Sequence, residues 1–177
     1  MEFLTGVRIN MRFSSVYCEK VMSFMGSHKG KFVDRSRGQG QVRSSNRVAN
    51  LSTLYDYDMS PELLEAVFSE VPEEWRYDVQ EIQIQRYAEG GSICLHKEGP
   101  SISFLDLSVL YSESPSYLYV LDKISKRWSK IEDDIGYIRR IDPDVYHCVP
   151  KTSSLRYSIV FVRYITYDKG FTYVRCF

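Results

Sequence analysis

Residues 79–98 read VQEIQIQRYAEGGSICLHKE, and this stretch decides the fold class. In its first half, Ile82 and Ile84 alternate with polar residues, which is the period-two pattern of a β-strand with one apolar face. A turn signal at residues 89–91 separates this strand from a second apolar run. The second run ends on the polar residues 96–98, so it predicts a strand that delivers polar side chains to the edge of a sheet.

Further strand-forming runs, separated by turn signals, continue to the end of the sequence. They lie at residues 101–111, 117–122, 136–141, 146–149 and 156–167, with one more candidate at 171–176. Aromatic residues make up 14% of the chain, which also favours strands. Several short strands at this spacing predict a mainly β protein, either a β-sandwich or a jelly roll, with helices packed outside.

The sequence before residue 76 has helical patterns. Ser60 is a good N-cap residue and Pro61 suits the first helical position, so a helix is predicted from Ser60 to about Glu70. Apolar residues within 13–25 recur at helical spacing and predict a second helix.

The length of 177 residues indicates a single domain, 1–177. We expect a helical and loop extension, 1–75, followed by a jelly-roll core, 76–177. Within the extension, segment 27–47 carries six basic residues and one acidic residue, together with several Gly and Ser. This segment is interpreted either as a solvated loop or as a mobile flap that contacts a macromolecular substrate.

The composition limits the partners of the whole chain. Lys and Arg number 23, and so do Asp and Glu, which argues against a globally basic nucleic-acid coat protein. No apolar run approaches the ~20 residues that span a bilayer, and residues 1–6 lack the basic start of a signal peptide. We therefore expect a cytoplasmic protein without a membrane partner. Its oligomeric state is left open.

Three residues are candidate metal ligands. His96 and Glu98 are two residues apart, so on a strand they point to the same face. His147 lies 51 residues downstream, where a jelly roll can bring it opposite His96. Two histidines and one carboxylate are the ligand set of non-haem Fe(II) oxygenases, which leaves positions open for a cosubstrate and O₂.

Arg156 opens a strand nine residues after His147. Other positions on the same strand face are apolar apart from Ser158, so the guanidinium needs an anionic partner. A dicarboxylate held by Arg156 at one end and by a metal at the other fits the geometry of bound 2-oxoglutarate. The alternative is a structural salt bridge between Arg156 and an acidic residue.

Two motifs in these stretches resemble those of the 2-oxoglutarate/Fe(II)-dependent dioxygenases. Residues 86–98 resemble the signature R-Y-x-x-G-x(5)-H-x-D/E, and residues 147–158 are similar to the strand H-x(8)-R-Y-A/S. The short spacing of the second motif is most similar to the prolyl-hydroxylase-like branch, while the alkylated-DNA demethylases share the signature. The resemblance covers roughly residues 76–165.

The resemblance implies a double-stranded β-helix, a form of jelly roll with flanking N-terminal helices. It further implies that His96, Glu98 and His147 bind Fe(II). Arg156 is then expected to hold the distal carboxylate of 2-oxoglutarate, assisted by Ser158 and Tyr87. The implied activity is hydroxylation of a macromolecular substrate: a protein side chain of the prolyl type is favoured, and a nucleobase is the alternative.

Two other classes of protein stay open at this point. One is a zinc-binding protein that uses Cys94, His96, His147 and Cys148. The other is a catalytically silent jelly-roll binding module whose segment 27–47 recruits a partner.

Overall fold

The computed structural model describes residues 7–35, 48–122 and 124–165. The predicted strand at 171–176 and residues 36–47 of the basic segment lie outside the described residues. Ten strands are described: β1 (Val7–Arg12), β2 (Val33–Asp34), β3 (Val48–Tyr55), β4 (Glu81–His96), β5 (Ile102–Ser112), β6 (Tyr117–Leu121), β7 (Trp128–Glu132), β8 (Tyr137–Ile141), β9 (His147–Val149) and β10 (Arg156–Tyr164). The helices are α1 (Ser15–Ser23), α2 (Pro61–Phe68) and α3 (Glu73–Asp78).

The strands form one curled antiparallel sheet with the order β1-β8-β5-β10-β4-β9-β6-β7. Strand β3 adds to β4 as well, and β2 pairs with β3. The protein therefore has the predicted mainly β fold, a double-stranded β-helix with helices before its core strands.

Strand β4 is 16 residues long and connects the two halves of this sheet. Its residues 81–87 pair with β10, and its later residues Ile93 and His96 pair with β9. The sequence predicts a chain-reversing turn at 89–91, but the strand continues through it. Gly90 takes a φ of 75°, a conformation open to glycine, and so absorbs the distortion within the strand.

Two apolar clusters lie on opposite faces of the central strands. One fills the space between the sheet and the helices, where Ile82 and Ile84 of β4 pack with Phe161 of β10. The other lies inside the barrel and includes Tyr87 and Val160. Because β10 is covered on both faces, its residues 156–163 are all buried. The barrel face of β10 positions Arg156 and Ser158.

The predicted helices are present. The Ser60 side chain accepts a hydrogen bond from the backbone N–H of Leu63 at 3.2 Å and so caps α2. Ser14 caps α1 in the same way, through the N–H of Tyr17 at 3.0 Å. In the described part of the chain, all helices are too short or too polar to cross a bilayer.

Strands β1, β2 and β3 correct the expectation that segment 1–75 holds only helices and loops. Strand β1 pairs with β8 and β3 pairs with β4, so this segment supplies part of the sheet. Residues 7–12 do alternate between apolar and polar side chains, but such a short run becomes a strand only because β8 offers an unpaired edge. The division into an extension (1–75) and a core (76–177) stays a prediction.

Gly136 provides a test of how β1 and β8 are joined. It has a φ of 82°, and a Cβ added there would lie 2.5 Å from the Phe13 carbonyl oxygen. We expect Gly136→Ala to lower the free energy of unfolding by about 1–3 kcal/mol, measured by urea denaturation. Gly26→Ala, where a Cβ meets nothing within 4 Å, is the matched control and should change it by less than about 0.5 kcal/mol. Equal effects of the two substitutions would contradict the close contact between Gly136 and Phe13.

Candidate metal centre

His96, Glu98 and His147 converge on one point at the junction of β4 and β9. The Nε2 atom of His96 lies 3.4 Å from Oε1 of Glu98, and Nε2 of His147 lies 3.3 Å from the same oxygen. One atom from each of the three side chains lies within 4.8 Å of the others. The structure thus brings together the three residues that the sequence predicts as metal ligands.

Both imidazole rings are held in the same tautomer by the backbone. Nδ1 of His96 lies 2.9 Å from the Cys94 carbonyl oxygen, and Nδ1 of His147 lies 2.9 Å from that of Val145. A carbonyl oxygen only accepts, so each Nδ1 carries a hydrogen and each Nε2 is directed at Glu98. Such an Nε2 donates to the carboxylate when it is protonated and offers its lone pair to a cation when it is not. Backbone partners of this kind orient ligating histidines in metalloproteins.

A shift in strand register places His96. Ile93 pairs with Val149 and His96 pairs with His147, so three residues of β4 span the distance covered by two residues of β9. The irregularity is a β-bulge, which changes the face to which the following side chains point. His96 consequently faces the interior beside Ile93, and both residues line the same cavities.

Glu98 lies two residues beyond the end of β4. Its backbone N–H donates to the Pro143 carbonyl oxygen at 3.0 Å, which ties it to the loop before β9. Burial alone would raise the pKa of Glu98, but hydrogen bonds from His147 and His96, together with their charges, outweigh it and lower the pKa to about 2. Glu98 is therefore an anion at neutral pH.

This donor set fits a divalent cation. In octahedral geometry, neighbouring ligand atoms about 2.1 Å from a metal are about 3 Å apart, close to the two nitrogen–oxygen distances found here. When a cation replaces the Nε2 protons, two imidazole nitrogens and one carboxylate oxygen can direct lone pairs at it from three sides. Their two-nitrogen, one-oxygen composition matches the set used for Fe(II), with open positions remaining.

The other histidine and the cysteines lie elsewhere. His28 is buried near α2, where its Nε2 accepts the backbone N–H of Ser60 and its Nδ1 donates to the Phe24 carbonyl. Among the described residues, the metal-ligand cluster contains no cysteine. The β-bulge places Cys94 off the His96 face, and Cys148 alternates with His147 along β9. The four-ligand set of the zinc hypothesis is therefore not assembled.

Arg156, Ser158 and Tyr87 lie together inside the barrel. Tyr87 pairs with Arg156 across β4 and β10, and the guanidinium carbon lies 4.8 Å from the centre of the Tyr87 ring. Nη1 of Arg156 lies 3.4 Å from Oγ of Ser158. Burial raises the pKa of Tyr87 to about 12 against the opposing charge of Arg156, so the phenol stays a hydrogen-bond donor.

Arg156 also forms the salt bridge that the sequence left open as its alternative. Its Nη2 and Nε lie 3.0 and 3.1 Å from Oδ2 of Asp133, a fully buried carboxylate. Asp133 follows β7, a strand absent from the sequence prediction, and no spacing rule links the two residues. The residues of Trp128–Glu132 alternate in burial, but the sequence W-S-K-I-E does not alternate between apolar and polar residues, so periodicity does not identify β7.

Two connected cavities adjoin the centre, and His96 and Glu98 line both. The outer cavity, of about 280 Å³, is bounded at its rim by Arg35, Lys97 and Tyr164. The inner cavity, of about 50 Å³, is lined by Tyr87 and His147 together with aliphatic side chains. Tyr164 and Tyr87 are the aromatic residues that line the two cavities within the described part of the chain.

No protein-family model matches the chain, and no curated protein matches it. Solved structures do. A prolyl hydroxylase from Trichoplax adhaerens, in complex with a peptide fragment of the hypoxia inducible factor oxygen degradation domain, is 17% identical with a TM-score of 0.68, covering 90% of this chain and 83% of that one. A viral collagen prolyl hydroxylase from Paramecium bursaria Chlorella virus-1, in its 2-oxoglutarate complex, is 13% identical with a TM-score of 0.60, covering 93% and 100%.

HygX from Streptomyces hygroscopicus, solved with nickel, 2-oxoglutarate and hygromycin B bound, is 13% identical with a TM-score of 0.62. It covers 92% of this chain and 84% of its own. These likenesses confirm the fold that the motif resemblance implies. The fold class is the double-stranded β-helix of such enzymes.

The geometry predicts the effect of removing a ligand. Removing a residue that only orients a metal ligand lowers the metal affinity about 10- to 100-fold. Removing a ligand itself should lower it further, so we expect His147→Ala or Glu98→Gln to weaken Fe(II) binding by more than about 100-fold. Anaerobic isothermal titration calorimetry measures this directly. His28→Ala is the control: it removes a buried hydrogen-bonding ring and lowers the melting temperature, yet should leave Fe(II) affinity unchanged. Equal losses in all three variants would contradict the centre.

Proposed function

We propose that the protein is an Fe(II)- and 2-oxoglutarate-dependent dioxygenase that hydroxylates a side chain of a protein substrate. The observation that carries the proposal is the convergence of two Nε2 atoms on one carboxylate oxygen, 3.4 and 3.3 Å away, beside an open cavity. A catalytically silent binding module has no need for two tautomer-locked imidazoles directed at a buried carboxylate.

His96, Glu98 and His147 would hold the iron through one face. The cavities that His96 and Glu98 line would leave room beside the metal for a cosubstrate. The Nδ1 hydrogen bonds to Cys94 and Val145 would keep both rings in the ligating tautomer when the metal leaves and returns.

Arg156 would anchor the distal carboxylate of 2-oxoglutarate. The Ser158 hydroxyl and the Tyr87 phenol are the neighbouring hydrogen-bonding groups of the barrel interior that would assist it. A charge-assisted bond of this kind is stronger than one between neutral groups. Aliphatic residues of the inner cavity would exclude water from the keto acid between its two charged ends.

Bound Fe(II), with 2-oxoglutarate and O₂, supplies the chemistry that converts a substrate C–H bond to C–OH while 2-oxoglutarate leaves as succinate and CO₂. The chain contributes the placement of the reactants and a largely apolar enclosure. Glu98 contributes a permanent negative charge, because its pKa of about 2 keeps it ionised throughout the neutral range.

A protein side chain is the favoured target. The outer cavity, of about 280 Å³, is at the low end for ligand pockets, which run to about 1,000 Å³. That volume suits a single side chain presented by a larger partner. One of the similar structures, the Trichoplax prolyl hydroxylase, holds a peptide. A nucleobase is the second candidate, favoured by the basic residues of segment 27–47.

We further propose that segment 27–47 contacts this partner. Arg35, its last described residue, lines the rim of the outer cavity and donates a hydrogen bond to the Tyr55 hydroxyl. Three further basic residues follow it in the segment, and their charge would favour an acidic or phosphate-bearing partner.

The activity is tested by incubating the anaerobically iron-loaded protein with 2-oxoglutarate and air, and measuring succinate. We expect turnover by the parent protein, and Arg156→Ala should raise the apparent KM for 2-oxoglutarate by about 10- to 150-fold, since a charged bond contributes roughly 1.5–3 kcal/mol. Arg156→Lys should lose less, because it keeps the charge but not the fork.

Iron affinity should be unchanged in both Arg156 variants, since Arg156 is not a ligand. If the parent protein binds iron yet neither binds nor consumes 2-oxoglutarate, the enzyme proposal fails and the binding module takes its place. Arg156 would then be a structural salt-bridge residue of Asp133.

The rim charge gives a separate prediction. Replacing Arg35, Arg37 and Arg43 by Ala should weaken binding of the macromolecular substrate, with the largest effect at low salt, and leave substrate-free 2-oxoglutarate decay intact. Candidate proline-containing peptides and single-stranded oligonucleotides are compared by fluorescence anisotropy across salt concentrations. Unchanged binding of every ligand that the parent recognises would reduce the segment to a solvated loop.

A further inference from the structure

A buried cluster of three charged side chains lies behind Tyr87. Oδ2 of Asp133 contacts Nη2 and Nε of Arg156 at 3.0 and 3.1 Å, and Oδ1 lies 3.4 Å from Nη1 of Arg139. The Ser116 hydroxyl donates to Oδ2 at 2.7 Å. The exposed fractions of the Asp133, Arg139 and Arg156 side chains are 0%, 3% and 0%, so one carboxylate serves two guanidinium groups away from water.

At contact distance, the cluster holds two guanidinium groups and one carboxylate. Asp134, the next acidic residue along the chain, acts on Arg139 only through its charge; it is exposed and pairs with Arg12 at 3.6 Å. Within the described part of the chain, Nε of Arg139 has no hydrogen-bond partner, and Nη2 of Arg156 has only its ion pair with Asp133. An uncompensated buried cation is costly, so this surplus points to an anionic ligand.

The contacts show which edge of Arg156 is left for that ligand. A guanidinium has two forks that can bind a carboxylate: Nε with Nη2, and Nη1 with Nη2. Asp133 takes the first fork. In the second, Nη1 has only a long contact of 3.4 Å with Ser158, and Nη2 retains the N–H that does not face Asp133. The guanidinium stacks on Tyr87, which lines the inner cavity together with His147.

We propose that Asp133 and Arg139 are positioning residues for 2-oxoglutarate. Asp133 holds one fork of Arg156, so that the other fork faces the cosubstrate. Asp133 also neutralises one positive charge of the cluster, and Arg139 supplies a second positive charge that keeps the cluster positive. The pair thereby selects keto acids with a distal carboxylate. This inference rests on the proposed function, because it concerns the same cosubstrate.

The test compares two keto acids of equal chain length, 2-oxoglutarate and 2-oxopentanoate, which lacks the distal carboxylate. Binding to the Mn(II)-loaded protein is measured by anaerobic calorimetry. Arg139→Gln should weaken 2-oxoglutarate binding about tenfold, because it removes one charge from a poorly screened interior, and should leave 2-oxopentanoate binding within about twofold. Arg139→Lys keeps the charge and should recover most of the loss.

Two further variants make the test independent of folding. Ser116→Ala removes only the hydroxyl that fixes Asp133, and should weaken 2-oxoglutarate binding about threefold without affecting 2-oxopentanoate. Arg140→Gln is the matched control. Arg140 and Arg163 both pair with Asp106, so two guanidinium groups share one carboxylate there too, beside Trp75. None of these four residues lines the inner cavity. Arg140→Gln should change neither affinity.

The outcomes separate the two proposals. If the parent protein binds 2-oxoglutarate but Arg139→Gln and Ser116→Ala weaken both keto acids equally, or neither, the positioning role is overturned while the proposed function stands. If the parent protein binds Mn(II) but neither keto acid, the proposed function itself fails and the positioning role fails with it.

Discussion

The direct pairing of His96 with His147 across β4 and β9 is the contact on which the proposed chemistry depends. It exists because the β-bulge after Ile93 returns His96 to the barrel interior. The backbone then fixes each ring through a carbonyl two residues earlier in the chain. Glu98 completes the set through an N–H bond to Pro143, so the backbone holds three ligands from two chain segments.

The barrel interior carries charge at two places: the metal centre lines the inner cavity, and Arg156 stacks on Tyr87, which lines it too. The metal centre contributes one lone-pair cluster, and Arg156 contributes a cation beside Tyr87. Polar side chains line the β4 wall: the Tyr87 hydroxyl donates to Gln85 at 2.8 Å, and Gln85 donates to Gln83 at 3.2 Å. Because these side chains hydrogen-bond to one another, burying them costs little free energy. The metal centre and Arg156 are then left to bind a ligand with an anionic group at each end.

Much of this site could be read from local sequence. The spacing in His96-x-Glu98, the distance to His147 and Arg156, and the resemblance of their motifs were sufficient to assign the fold and to group the ligand candidates. What local sequence could not supply was the partner of Arg156, because Asp133 reaches it only through the β6–β7 hairpin, and no residue spacing encodes that contact. Strand β1 was missed for a similar reason, since its pairing edge on β8 lies about 130 residues away in the sequence.

One crystallographic measurement tests the central claim most directly. The protein is crystallised anaerobically with Mn(II) and 2-oxoglutarate, and the metal is located from its anomalous scattering. The account predicts a peak within about 2.5 Å of Nε2 of His96, Nε2 of His147 and a carboxylate oxygen of Glu98, with the distal carboxylate of the keto acid on Arg156. A metal bound elsewhere, or a keto acid whose distal carboxylate is not on Arg156, would contradict it.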